Sequence, residues 1–492
     1  MNTDQLRETV PLHLMAIGSK RVSAASGQTL EVINPATEEH IADVPAGASA
    51  DVAAAVAAAS AAAPEWAAKS WLQRAELLNE LSRRLDDCKE ELARMDAVDS
   101  GNPIIGMRGD VARAGEELRY FAGLGGELKG DTVPWTDAQF GQTFREPYGV
   151  VGRITAYNHP LMFAVAKSAA PLVAGNSVVL KPSEHTSLSS LRFAEIAAGI
   201  LPEGVLNVVT GTGLEAGAAL VEHPDVPRIA FTGGVPTGRA ILRGGAERIK
   251  HVTVELGGKN PMIVFPDVDL KAAAVAAVGG MNLRRSTGQS CQSNSRILMH
   301  ESIAEEFTGL LIEIIEGLRV GDPTRDDIEV GPLCFAAHYE RVMNYISLGK
   351  SEGAHVAVGG GRPQGLDKGY FVAPTVFTDV KSDMRIATEE IFGPVISVLT
   401  WKDYDEMIAL ANGIEYGLTA NIWTNNLSTA YSTARALKAG MVWVNGNGSR
   451  PLGVPFGGYK QSGLGKEGSL SELFGYTREK AMIMNVQPPR SF

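Results

Sequence analysis

The chain has few cysteines, and they form no recognisable pattern. Its 492 residues include only Cys88, Cys291 and Cys334. There is no Cys-x-x-Cys pair and no Cys/His cluster with zinc-binding spacing. So few cysteines cannot form a disulfide framework. We therefore expect no metal site and a reducing, cytoplasmic environment.

The chain also lacks a block of basic residues and a long apolar run. Its net charge of −11 repels phosphate backbones, so we expect no nucleic-acid partner. The alanine-rich stretch "DVAAAVAAASAAAPEWAA" is weakly apolar and contains Pro64 and Glu65, which favours a helix of a soluble protein over a membrane span. The first residues include Asp4, Arg7 and Glu8 where a signal peptide would need apolar side chains, so we expect no membrane association.

The middle of the chain alternates short apolar strands with helices. "YGVVGRITAYN", "NSVVLKPS", "GVLNVVTGTG" and "VPRIAFTGG" read as strands, and helical stretches separate them. This alternation predicts an α/β fold with a parallel, doubly wound sheet, whose ligand lies beyond the carboxyl ends of the strands. A second alternating series starts at "HVTVELGGKNPMIVF" and predicts another α/β domain, which carries Cys291.

Two further stretches read as strands without an obvious sheet. "KGDTVPWTDAQFGQTFREPYG" has no helical period, and the tail "EKAMIMNVQPP" alternates apolar and polar residues. Because an unpaired strand edge promotes association, we expect these strands to pair with each other or with another chain.

One cysteine stands in unusually polar surroundings. Cys291 lies in "RRSTGQSCQSNSR", whereas a free cysteine usually behaves as a small buried hydrophobe. We therefore expect a reachable thiol whose pKa is lowered by nearby amide groups. Glu255, in "VELGGKNP", and Asn158, in "ITAYNHP", stand at the ends of predicted strands, where their side chains can face the same cavity.

Several short motifs resemble those of the aldehyde dehydrogenase superfamily. They are "KPSE", "FTGG", "VELGGKNP", "GQSC", "EEIFGPV" and "PFGGYKQSG", and they occur in the family's order. The resemblance covers the chain from about residue 20 to its C-terminus. It implies two doubly wound Rossmann-like domains and a small β oligomerisation arm, in a homodimer or homotetramer. The implied ranges are 1–127 and 148–256 for the NAD-binding domain, 257–474 for the catalytic domain, and 128–147 and 475–492 for the arm.

The resemblance also implies an activity and three catalytic residues. Cys291 matches the family's nucleophile, Glu255 its general base and Asn158 the amide that stabilises the oxyanion. The expected reaction is NAD-dependent oxidation of an aldehyde to a carboxylic acid through a thiohemiacetal and a thioester, which water then hydrolyses. Relatives that pass the acyl group to CoA lack a carboxylate at the position of Glu255, which argues against a CoA-acylating enzyme.

Seven residues match the family's cofactor positions. They are Lys181, Glu184, Gly233, Gly234, Gly238, Glu390 and Phe392. A carboxylate at position 184 suits the two ribose hydroxyls and repels a 2′-phosphate, which favours NAD over NADP. Gly234 departs from the family, in which serine is common at this position.

The substrate is less well defined by the sequence. The positions that match the family's pocket are His159, Met162, Phe163, Ala166, Ser290, Gln292, Arg450 and Phe456. Arg284 and Arg285 precede the nucleophile, and arginine suits bidentate recognition of a carboxylate, so the substrate is interpreted as a carboxylate-bearing semialdehyde. A betaine-type aldehyde and an apolar or aromatic aldehyde stay open as alternatives.

Overall fold

A computed structural model describes residues 13–486 of the chain. Residues 1–12 and 487–492, which begin the predicted NAD-binding range and end the predicted arm range, lie outside the described residues. In the described part, helices alternate with the strands of two large sheets, which confirms the predicted α/β class.

The described chain opens with two short antiparallel ribbons and a group of helices. The strands are β1 (Met15–Ile17), β2 (Lys20–Val22), β3 (Thr29–Asn34) and β4 (Glu39–Pro45), and the helices are α1 (Ser49–Ala68), α2 (Trp71–Asp87), α3 (Lys89–Ser100) and α4 (Ile104–Leu124). The alanine-rich stretch forms α1, as predicted. A capping box starts α2, in which Ser70 Oγ accepts from the Gln73 amide and Gln73 Oε1 accepts from the Ser70 amide.

The next part of the chain builds the first large sheet. After a hairpin of β5 (Thr132–Thr136) and β6 (Gln139–Pro147) come β7 (Val150–Ile154), α5 (Pro160–Val173), β8 (Ser177–Lys181), α6 (Leu188–Ala198), β9 (Leu206–Val208), α7 (Ala218–Glu222), β10 (Arg228–Thr232), α8 (Val235–Ala246) and β11 (His251–Glu255). The five strands from β7 to β11 are parallel, in the order β9-β8-β7-β10-β11. The order reverses between β7 and β10. A topological switch point of this kind is where doubly wound sheets bind ligands.

The second large sheet contains seven strands. Its part of the chain consists of β12 (Pro261–Val264), α9 (Leu270–Gly280), α10 (Leu283–Ser286), β13 (Arg296–His300), α11 (Ala304–Glu316), α12 (Ala336–Ser351), β14 (His355–Val358), β15 (Thr375–Thr378), α13 (Arg385–Thr388), β16 (Val395–Trp401), α14 (Tyr404–Asn412), β17 (Tyr416–Gly417), β18 (Thr419–Trp423), α15 (Leu427–Ala436) and β19 (Met441–Val444). The strand order is β14-β15-β16-β13-β12-β18-β19, and every pair except β14 with β15 is parallel. The loop that carries Cys291 enters this sheet through β13.

The last elements return to the first half of the molecule. They are β20 (Tyr459–Lys460), β21 (Gly463–Leu464), α16 (Leu470–Phe474) and β22 (Thr477–Asn485). Strand β21 pairs antiparallel with β11, so a segment inside the predicted catalytic range 257–474 extends the first sheet. Strand β22 pairs along its full length with β6, so the two isolated stretches noted in the sequence pair with each other.

Candidate active site

The loop around Cys291 is held in one shape by its backbone. Thr287 and Gly288 both have positive φ, and a Cβ on Gly288 would lie 2.5 Å from the Gly393 carbonyl oxygen. The Asn260 side-chain amide donates to the Cys291 carbonyl oxygen at 2.8 Å and to that of Ser293 at 2.9 Å. The thiol therefore sits on a fixed turn between α10 and β13, although many of the turn's residues are small and polar.

The thiol of Cys291 has a raised pKa, which corrects the sequence-based expectation. The residue is half-buried in contact with the small apolar cluster that includes Phe456. Burial raises the thiol pKa well above its usual value, and the charge and hydrogen bonding of Glu255 raise it further. The local amides do not outweigh these two effects, so the environment favours the thiol over the thiolate.

Glu255 ends β11 and is buried beside that thiol. Burial raises its pKa to about 7, and the charge of Glu467 adds to the effect, whereas Lys167 and the Cys291 thiol oppose it. Its Oε1 atom is enclosed and has no hydrogen-bond partner among the described residues. An unpaired buried oxygen of this kind is a place where a water molecule can be held.

Asn158 does not end β7, as the sequence indicated, but lies in the loop between Ile154, the last residue of β7, and α5, where it faces the loop of Cys291. The residue is buried, and its side-chain Nδ2 donates to the Gln289 carbonyl oxygen at 2.9 Å. Asn102 donates to its backbone oxygen at 2.9 Å, which fixes the residue from the other side. An amide nitrogen carries two hydrogens, so Nδ2 retains one donor after the contact with Gln289.

A cavity of about 450 Å³ opens onto Cys291. Among the predicted pocket residues, those that line it are His159, Met162, Phe163, Ser290, Gln292 and Arg450. Ala166 does not line it, because it is buried within α5, a helix that is enclosed along its whole length. Phe456 does not line it either, because its ring lies beneath the Arg450 guanidinium, 3.9 Å from the ring centroid.

Helix α4 supplies a wall of the cavity that sequence reasoning did not identify. Ile105, Gly109, Arg113 and Glu117 line the cavity at four-residue intervals, which is one face of a helix. Gly106 allows α4 to approach the Arg285 backbone, since a Cβ there would lie 2.7 Å from the Arg285 carbonyl oxygen. The helical spacing was readable in the sequence, but no motif linked this helix to the nucleophile.

The arginines of the cavity differ in their partners. Arg113 pairs with Glu117 at 2.9 Å and Arg284 pairs with the half-buried Glu329 at 2.8 Å. Arg285 donates through Nε to the buried Asp110 at 2.8 Å. In the described part of the chain, Arg450 has no carboxylate within ion-pair distance. Arg284 and Arg285 are therefore already paired with carboxylates of the protein. Of the three arginines proposed from the sequence, Arg450 alone is available to bind a carboxylate of the substrate.

The strand ends of the first sheet carry the predicted adenosine-binding pair. Lys181 ends β8, and its ammonium group lies 3.0 Å from Glu184 Oε2. Burial lowers the pKa of Lys181. Burial opposes ionisation of Glu184, but attraction to Lys181 and hydrogen bonding lower its pKa overall. The ammonium group of this pair is thus enclosed, whereas the side chain of Glu184 is 35% exposed.

The predicted glycine turn stands between β10 and α8. Gly234 is the N-cap residue of α8 and has no side chain that could accept a hydrogen bond. The backbone N–H groups of the first turn are therefore not capped by a side chain. A Cβ on Gly233 would lie 2.4 Å from the Phe231 ring, and one on Gly238 would lie 2.6 Å from Leu256. At Gly234 a Cβ would meet only Pro236, at 3.9 Å, so this position has room for the serine that is common in the family.

The remaining cofactor candidates lie on the other side of the nucleophile loop. Glu390 Oε1 accepts from the Gly258 amide at 2.8 Å, and burial raises the pKa of Glu390 to about 7. Phe392 has a φ of +64° and contacts the Tyr157 ring edge-on, with centroids 5.9 Å apart. Tyr157 directly precedes Asn158, so the Phe392 ring packs beside the loop after β7 that carries the predicted oxyanion donor.

Two negative observations concern the described residues. Between residues 13 and 486, no group of His, Cys, Asp and Glu side chains is arranged to hold a metal ion. None of the helices in the same range is both long and apolar enough to cross a membrane.

Comparison with known proteins identifies relatives over the whole length. The model of the aldehyde dehydrogenase family matches residues 22–482. The chain is 43% identical to hydroxyisobutyraldehyde dehydrogenase of Mycolicibacterium austroafricanum, over 99% of this chain and 97% of that protein. It resembles the NAD⁺ complex of an aldehyde dehydrogenase from Bacillus cereus, with a TM-score of 0.94, 42% identity and 97% of both chains covered. A NAD-dependent aldehyde dehydrogenase from Sinorhizobium meliloti is 39% identical, with a TM-score of 0.95, 99% of this chain and 98% of that chain covered.

Proposed function

The chain belongs to the aldehyde dehydrogenase family, and from this membership we propose that it oxidises an aldehyde to a carboxylic acid with NAD. The observation that carries the proposal is the convergence of Cys291, Glu255 and Asn158, from three separate segments, next to one cavity. The chemistry of each group fits one step of this reaction.

Cys291 acts as the nucleophile in the proposed mechanism. Its thiol gives up its proton to solvent, and the sulfur bonds to the aldehyde carbon to give a thiohemiacetal. The free hydrogen of Asn158 Nδ2 and the Cys291 backbone amide donate to the oxygen that becomes negative. Loss of one such donor typically lowers the rate by a factor on the order of 10²–10³.

Bound NAD would accept the hydride that leaves the thiohemiacetal carbon, which converts the intermediate into a thioester. The residues present fit this cofactor. Glu184 offers acceptors for ribose hydroxyls and repels a 2′-phosphate. The first turn of α8 suits a pyrophosphate, because its N-cap residue, Gly234, has no side chain that would occupy the backbone N–H groups. Glu390 and Phe392 would hold the nicotinamide half.

Glu255 completes the cycle as general base. Its enclosed Oε1 atom has no hydrogen-bond partner within residues 13–486 and can hold a water molecule. When ionised, the carboxylate takes a proton from that water, whose oxygen bonds to the thioester carbon and releases the acid and the Cys291 thiol. The presence of this carboxylate favours hydrolysis over transfer of the acyl group to CoA.

The preferred substrate in this proposal is a semialdehyde with a distal carboxylate. Arg450 supports it, because this half-buried arginine lines the cavity without a carboxylate partner in the described chain and is packed on the Phe456 ring. A second candidate is a hydroxyaldehyde, which the name of the relative with 43% identity favours. Replacing Arg450 with Gln should lower kcat/KM for succinic semialdehyde at least 10-fold and leave an uncharged aldehyde of similar length unchanged. Equal effects on both substrates would remove the carboxylate proposal.

The family-level proposal is tested by a panel of aldehydes with NAD and with NADP, followed by NADH or NADPH absorbance. We expect turnover with NAD, a lower kcat/KM with NADP, no dependence on CoA, and no turnover by Cys291→Ala. A Cys291→Ala variant as active as the natural chain, with any aldehyde of the panel, would overturn the mechanism.

The assembly and compartment belong to the same proposal. We take residues 128–147 and 475–492 as the oligomerisation arm of a homodimer or homotetramer, with 1–127 and 148–256 as the NAD-binding domain and 257–474 as the catalytic domain. A cytoplasmic location stays a prediction from the cysteine content.

A further inference from the structure

A buried carboxylate orients the histidine that follows Asn158. His159 begins the turn into α5, and its Nδ1 lies 2.6 Å from Asp110 Oδ2. Asp110 is fully buried on α4, and its other oxygen accepts from Arg285 Nε at 2.8 Å. The three side chains thus form a continuous row, Arg285–Asp110–His159, that connects three different elements.

The charges of this row determine which histidine nitrogen carries the proton. Burial by itself would raise the pKa of Asp110, but attraction to Arg285 and hydrogen bonds from His159 and Arg285 lower it overall, so Asp110 is a carboxylate. A carboxylate has only acceptors, so the contact requires a hydrogen on His159 Nδ1. In the neutral ring the other nitrogen, Nε2, is then a hydrogen-bond acceptor.

The Nε2 atom faces the substrate cavity. His159 lines the same cavity as Cys291, and the residue as a whole is only 6% exposed. Within residues 13–486, Nε2 has no hydrogen-bond partner, yet it is not one of the enclosed unpaired polar atoms. The ring also packs edge-on against Phe163, with centroids 5.5 Å apart, which limits its rotation. The available acceptor therefore points into the space that the substrate would fill.

We propose that His159, held by Asp110 and Arg285, accepts a hydrogen bond from a hydroxyl group of the substrate, and that the enzyme selects hydroxyaldehydes over apolar aldehydes of equal size. Because His159 adjoins Asn158, the recognised hydroxyl lies within a few carbon atoms of the aldehyde. This inference rests on the proposed function and favours the second substrate candidate named there, a hydroxyaldehyde. An aldehyde without the hydroxyl leaves the Nε2 atom of His159 without a hydrogen-bond partner, which lowers kcat/KM for that aldehyde.

The test uses pairs of aldehydes in which a methyl group replaces the hydroxyl. Lactaldehyde is compared with isobutyraldehyde, and 3-hydroxypropanal with butanal, by measuring kcat/KM with NAD. For the natural chain we expect at least one hydroxyaldehyde to exceed its methyl counterpart about 10-fold or more. His159→Phe should abolish that preference, mainly through a higher KM for the hydroxyaldehyde.

Two further variants separate recognition from a structural role. His159→Gln keeps an acceptor and should restore part of the preference, whereas the same Phe substitution at the exposed His355 should leave it intact. Thermal unfolding of each variant shows whether the fold is retained. If the natural chain has no preference in either pair, or if His159→Phe keeps it, the inference is wrong. If no aldehyde reduces NAD at all, the proposed function itself fails.

Discussion

At the scale of single residues, the main feature is the contact between two buried acids, the Cys291 thiol and the Glu255 carboxyl group. Burial raises the pKa of the Cys291 thiol and raises that of Glu255 to about 7, and the two groups contact each other. Neither ionises readily while the other is charged. The charge of Glu255 thus opposes ionisation of the thiol, so its replacement by Gln should not prevent the thiolate from forming.

The pH dependence of deacylation follows from the pKa of Glu255. A carboxyl group with a pKa of about 7 is protonated below that pH and is a base only above it. We expect the hydrolysis rate of the acyl-enzyme to rise through pH 7. Stopped-flow measurements across this range would check it, and a rate independent of pH would contradict it.

Replacing Glu255 with Gln should slow hydrolysis by a factor on the order of 10² or more, since general bases contribute at least that much. The pH dependence near 7 should vanish in this variant, and acyl-enzyme should accumulate after a burst of NADH. A steady-state rate equal to that of the natural chain would remove the role of Glu255.

The identity of the three central residues was accessible from the sequence, but their electrostatics were not. The motifs around Cys291, Glu255 and Asn158 identify the candidates, and the structure brings all three to one place. The direction of the thiol pKa was predicted wrongly. The pKa of the thiol depends on burial and on contact with Glu255, and the pKa of Glu255 depends in turn on Glu467. These residues lie far apart in the chain and come into contact only in the folded protein.

At the scale of elements, the turn between β10 and α8 has glycines of two kinds. Gly233 and Gly238 are required by close contacts, because a Cβ at either position would overlap Phe231 or Leu256. Gly234 has a φ of −78° and open space where a Cβ would lie, so no steric reason excludes a larger residue. The same turn therefore contains structural glycines and a replaceable one.

A matched pair of variants tests this distinction. Gly238→Ala should lower the free energy of unfolding by about 1–3 kcal/mol, because the added methyl group overpacks against Leu256. It should also weaken NAD binding. Gly234→Ser should keep the stability and bind NAD at least as tightly, since serine is a favourable N-cap residue. Thermal unfolding and calorimetric titration with NAD would measure both. Equal loss in the two variants would show that the turn tolerates neither change.

Sequence patterns predicted the elements that carry motifs better than those that only pack against them. The strands that end at Ile154, Lys181 and Glu255 were predicted, because their apolar runs stop at turn residues. The contribution of α4 to the cavity was missed, because its helical face becomes a wall only when Gly106 lets it approach the nucleophile loop. Strand β21 was also missed, because two residues are too short for a periodic pattern.

At the scale of the whole molecule, a small sheet joins the middle of the chain to its C-terminal part. Strands β5, β6 and β22 form it, in the order β22-β6-β5. Several large apolar side chains on it are exposed, including Val133 at 57%, Trp135 at 73% and Ile483 at 61%. Exposed apolar side chains on strands that form sheet edges are typical of a surface that another protein covers.

We therefore expect this sheet to be covered by a second copy of the chain. Ile483→Lys combined with Trp135→Glu should lower the mass measured by light scattering from a multiple of 52.2 kDa towards a single chain. Lys480→Gln, on the same strand, breaks only an exposed ion pair with Glu146 and should leave the mass unchanged. A natural chain that is already monomeric would contradict the prediction.

The central claim is that the sulfur of Cys291 carries the acyl group between oxidation and hydrolysis. The most direct measurement mixes the Glu255→Gln variant with aldehyde and NAD, quenches it in acid within the first turnover, and locates the added mass by peptide mass spectrometry. The account predicts the acyl group on the peptide that contains Cys291, with about one NADH formed per acylated chain. NADH formation without any acylated peptide, or an acyl group on Cys88 or Cys334 instead, would contradict it.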